Sequence, residues 1–99
     1  EFVMQAIGFT QQLLGRSGHV TGKELLEGIR QFALKQYGPM AKIVLNHWGL
    51  SRTADFGAIV FAMIEHKLLA KTETDSIEDF NDVYDFDTAL RHEVRDIVI

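Results

Sequence analysis

The chain holds no cysteine, one proline and one tryptophan in 99 residues. Without thiols there is no disulfide framework, thiolate zinc site, iron–sulfur cluster or cysteine nucleophile. No apolar run approaches the roughly 18 residues that a bilayer crossing needs. The opening Glu1-Phe2-Val3-Met4 also lacks the basic segment of a secretion signal. These absences predict a soluble, cytoplasmic chain without membrane contact, and the abrupt opening suggests a piece of a longer protein. Positive charge is missing from one long stretch. Glu73, Asp75, Glu78, Asp79, Asp82, Asp85 and Asp87 follow one another with no lysine or arginine between them. Through Thr72 there are eight basic residues against five acidic; from Glu73 onward there are two against nine. A bare acidic surface repels phosphate backbones, so charge alone argues against nucleic acid as a partner.

What is present reads as one globular domain over residues 1–99, with 46% hydrophobic content. Phe2, Ala6, Phe9 and Leu13 share a face and predict a helix over 2–14, ended by Gly15-Arg16-Ser17-Gly18. Thr21 and Glu24 form a capping box, with Val20 placed to staple onto Leu25, and open a second helix that runs to about Tyr37. Gly38 can end it and Pro39 suits the first turn of a third helix, whose stripe includes Met40, Ile43, Val44, His47 and Trp48 before Gly49. Thr53 is the expected N-cap of a fourth helix, with Asp55 in its first turn. That helix is apolar nearly all round through Phe56, Ile59, Val60, Phe61, Met63 and Ile64, so it is either buried or offers an apolar surface to a partner. Residues 67–72 and 81–86 then read as two short strands around a polar turn, and Asp87 as the N-cap of a last helix carrying Leu90, Val94, Ile97 and Val98.

The order helix, helix, helix, corner, helix, strand, acidic turn, strand resembles a winged helix-turn-helix domain. The stretches that carry the resemblance are VLNHWGLSRT at the corner and IEHKLLAKT leading into the wing. It implies a mainly α (α+β) fold with four to five helices and a small two-stranded β-hairpin wing. HVTGKELLEGIRQFALKQYGPMAKIVLNHWG and the later VYDFDTAL are similar to a small uncharacterised bacterial family described mainly from planctomycetes and verrucomicrobia, a likeness that implies no activity. In winged helices that bind DNA, the start of the recognition helix contacts bases and a basic wing contacts phosphates. The matching positions here include Arg52, Thr53, Lys67 and Lys71, but the wing is the acidic stretch.

Other constellations are weaker. The four histidines show no metal spacing, and a helix-face histidine such as His47 is expected in or near the core. The acidic stretch lacks the glycine and third oxygen ligand of a calcium loop. Gly15-Arg16-Ser17-Gly18 fits the G-x-x-G of a KH domain, without the strands that would surround it. No nucleophile elbow or phosphate loop is present, so the expectation is a non-enzyme without cofactor or metal. The expected function is a protein-interaction or assembly module, its partner another protein or a second copy. It would be contacted through an acidic wing of Glu73, Asp75, Glu78, Asp79, Asp82, Tyr84 and Asp85, with Trp48 beside it if exposed. The alternative is a winged-helix DNA-binding regulator using Arg52, Thr53, Lys67 and Lys71.

Overall fold

A computed structural model describes residues 1–72 and 74–91. Five α-helices follow in order: α1 (Phe2–Leu14), α2 (Gly22–Tyr37), α3 (Ala41–His47), α4 (Thr53–Glu65) and the short α5 (Phe86–Ala89). Two 3-10 turns, Gly38–Met40 and Ile77–Phe80, join them.

The helix boundaries follow local chemistry. α1 ends where Gly15 takes a φ of +69°, which lets the Arg16 N–H donate to the Gln11 carbonyl at 3.1 Å and satisfies the last turn. At the start of α2 the Thr21 hydroxyl accepts from the Glu24 N–H at 3.1 Å, and the Glu24 carboxylate accepts from the Thr21 N–H at 3.0 Å. That backbone N–H, with the Arg16 guanidinium at 2.7 Å, holds the Glu24 carboxyl below its usual range. The corner after α3 closes at Gly49, whose φ is +83°, with the Leu50 N–H donating to the Leu45 carbonyl at 3.0 Å.

α1 lies close along α2 because small groups meet there. Gly28 faces Thr10, which is 1% exposed and turns its hydroxyl onto the Ala6 carbonyl at 2.7 Å. A side chain at position 28 would occupy the space of the Thr10 hydroxyl. The core between the helices is built on Leu26, Ile29, Leu45 and Phe56, each fully buried. Burial of one such side chain stabilises the fold by about 1.5–3 kcal/mol.

The expected two-stranded wing is absent: the described residues contain no strand, and the fold is helical rather than α+β. The first expected strand fails at its opening residue. Lys67 has a φ of +63°, with its N–H on the Ile64 carbonyl (2.9 Å) and the Leu68 N–H on the Met63 carbonyl (2.8 Å). That is a left-handed helix stop, which reverses the chain instead of extending it. The second fails because residues 81–86 find partners on the helices rather than on another strand. The Val83 N–H donates to the Thr53 hydroxyl at 3.1 Å, and the Tyr84 hydroxyl donates to the Leu26 carbonyl at 2.7 Å. Residues 74–90 therefore form a strap laid over α2 and α4, pinned by buried Phe80 and Phe86.

Two boundaries also differ from the sequence expectation. Thr53 is not the cap of α4 but a fully buried residue of its first turn, donating to the Phe80 carbonyl at 2.6 Å while accepting from Val83. Asp55 takes over the capping, accepting from the N–H groups of Ser51 at 2.8 Å and Arg52 at 3.2 Å. α5 begins before Asp87, at Phe86, and Asp87 pairs with Lys42 of α3. The expected continuation of the last helix through Val94, Ile97 and Val98 lies outside the described residues.

Candidate functional site

The apolar surplus of α4 has two fates. Phe56, Val60 and Met63 enter the core, whereas Phe61 and Ile64 remain partly exposed beside Val60 on the wall of a cleft. The left-handed stop at Lys67 brings Leu69 and Ala70 back over the end of α4 as one side of that cleft. α1 supplies Ile7, and the loop before α2 supplies Val20 on the opposite side. Phe80 of the strap meets Phe61 edge to face, with centroids 6.3 Å apart and planes at 87°. The resulting hollow is about 370 Å³. That is far above the roughly 10–15 Å³ of probe volume that one water needs, and is room for a large apolar side chain.

Polar groups also line the hollow. His19 Nε2 lies 3.3 Å from Asp75 Oδ1, with side chains 39% and 16% exposed, and ties the α1–α2 loop to the strap. The other Asp75 oxygen accepts from the Thr72 N–H at 2.7 Å. Gln11 donates its amide to the Gly18 carbonyl at 2.8 Å, which fixes the loop against α1. The Lys71 ammonium sits 5.8 Å from the centroid of the Phe61 ring. An apolar interior with a few fixed polar groups on the rim is the usual construction of a binding site.

A second, more open hollow of about 500 Å³ lies at the other end of α1, lined by Phe2, Tyr37, Trp48 and Ile59 beside Glu1. Trp48 is 46% exposed, but its ring packs against Phe2 at 5.5 Å and Tyr37 at 5.9 Å. His47 is exposed, contrary to the expectation of a core histidine.

The acidic residues expected on a wing are distributed along the strap. Asp75 and Asp79 line the cleft, Asp79 accepting from the Ser76 N–H at 3.1 Å. Glu78 stands exposed beside them, its carboxylate 2.5 Å from the Ser76 hydroxyl. Asp82 is exposed at a φ of +49°, a left-handed conformation that aspartate tolerates better than most residues. Asp85 is exposed just before α5. Tyr84 is partly buried with its hydroxyl donating to the Leu26 carbonyl, and burial, with Glu27 nearby, pushes that hydroxyl well above the usual tyrosine range. Glu73 lies outside the described residues.

The residues expected for nucleic-acid contact do not form one surface. Thr53 is buried, and Arg52 and Lys67 flank the two ends of the 13-residue α4, roughly 20 Å apart at 1.5 Å per residue. Lys71 belongs to the cleft. Among the described residues no group of three or more His, Asp or Glu side chains could hold a metal ion, and no helix is long and apolar enough to cross a membrane.

Ile7, His19, Val20 and Leu69 line the site although the sequence did not mark them as site residues. His19 lacks metal spacing in the sequence, and its partner Asp75 sits on a different segment. The one available signal was α4, too apolar for any single buried face. Among the described residues, the fold and site thus define a small helical module with an apolar cleft between α1, α4 and the strap and a more open hollow at the other end of α1. No family model matches this chain, and no curated protein or solved structure is similar to it.

Proposed function

We propose that the chain is a non-catalytic protein-interaction module whose binding site is the cleft between α1, α4 and the strap. One observation carries this: an apolar hollow of about 370 Å³ is walled by three separate segments and rimmed by polar groups already engaged with one another. A hollow of this size and lining accepts a leucine, phenylalanine or tryptophan side chain projecting from a partner, which is how buried anchors dominate protein interfaces. Of the acidic residues, Asp75 and Asp79 line that hollow, with Glu78 beside Asp79 on the same turn.

Free indole, the side chain of a tryptophan anchor, provides the test. In a titration followed by backbone amide resonances, the shifts are expected at Ile7, Val20, Ile64 and Leu69. In an Ala70→Trp variant, which fills the mouth from an exposed position, they are expected to be at least several-fold weaker at unchanged melting temperature. Shifts confined to Tyr37 and Trp48, or none at all, would refute the assignment.

A further inference from the structure

We infer that the occupant of the cleft is a short amphipathic segment of a partner protein, with an apolar anchor flanked by lysine or arginine. This rests on the cleft being the binding site and adds the chemistry of what enters it. Glu78 and Asp79 sit on the 3-10 turn that forms one lip, and Asp82 and Asp85 continue the strap beyond it. Among the described residues, no lysine, arginine or histidine lies within ion-pair distance of any of these four carboxylates.

No described cation therefore neutralises them, although Glu78 and Asp79 also make hydrogen bonds to Ser76. The cations at the mouth are already engaged: His19 faces Asp75, and Lys71 lies over the Phe61 ring. An anchor in the hollow places residues three or four positions away on a helix about 5–6 Å to the side. A basic residue there meets the acidic lip, with the apolar Ile77, 41% exposed, beside it. An acidic segment in the same pose would meet like charge, which disfavours it.

Three synthetic helices of about 14 residues test this. They share one leucine stripe, and their remaining positions are lysine, glutamine or glutamate. Binding is read at low salt from the amide resonances of the cleft. The lysine peptide is expected to bind roughly tenfold tighter than the glutamine peptide, and the glutamate peptide weakest. The double variant Glu78→Gln, Asp79→Asn, which alters the two carboxylates of the lip, is expected to remove most of the lysine preference. Equal affinity for all three peptides, or preference for glutamate, overturns the basic partner but leaves the cleft as the site. Failure of every peptide to perturb the cleft overturns both.

Discussion

Thr53 shows how one side chain can hold two distant segments. Its hydroxyl donates to the Phe80 carbonyl and accepts from the Val83 N–H, 27 and 30 residues along the chain. Thr53→Val keeps the shape but leaves both backbone groups without a partner in the interior. A buried group left unpaired costs about 1–3 kcal/mol, and a loss in that range is expected from urea unfolding, with the strap released first in hydrogen exchange. Tyr84 makes a comparable tie to the Leu26 carbonyl, and its raised pKa fixes the pH window. The unfolded chain ionises this tyrosine near pH 10, whereas the folded chain keeps it protonated. Its contribution is therefore complete below pH 10 and is lost as the pH rises above that value toward the folded pKa. Stability should fall there by up to about 1.4 kcal/mol per pH unit from this group. The Tyr84→Phe variant should be less stable at neutral pH by about 1 kcal/mol and lack that part of the alkaline loss. An unchanged alkaline slope in the variant would show that the hydroxyl is not buried.

At the scale of elements, the connections that follow α4 decide the architecture. Lys67 adopts a left-handed conformation that costs roughly 1–2 kcal/mol for a residue with a Cβ. Lys67→Gly should recover part of that cost and raise stability by up to about 1 kcal/mol in thermal unfolding. If residues 67–72 instead formed a strand, the glycine would lower stability. α4 begins at Thr53 itself and α5 at Phe86, ahead of the caps expected at Thr53 and Asp87, whereas the start of α2 and the stops at Gly15 and Gly49 were legible in the sequence because they are local and act within a turn. The wing was misread for the same reason. Residues 67–72 and 81–86 satisfy strand patterning over a few positions, but short apolar runs take their conformation from what they pack against. Here Val83 and Tyr84 are claimed by Thr53 and Leu26. The cleft was half legible: the apolar excess on α4 pointed to a surface, while the approach of His19 to Asp75 left no mark on either segment.

For the whole molecule, the charge division along the chain becomes a division in space. Among the described residues the strap over 74–90 carries six acidic residues and no basic one, whereas the helical body carries both signs. Binding thus combines an apolar hollow with the carboxylates of the 77–80 turn along one edge. The interaction is expected to weaken as salt rises, because the lip carboxylates are exposed and screened. The absence of native cysteine allows each surface to be labelled alone. The most direct measurement places a single environment-sensitive fluorophore at Ala70→Cys, on the cleft wall, or at Ile43→Cys, 58% exposed on α3. Addition of the leucine–lysine peptide is expected to change emission at position 70 and leave position 43 unaltered. A change at position 43 with none at position 70 would place the binding surface elsewhere on the molecule and contradict the cleft as the site.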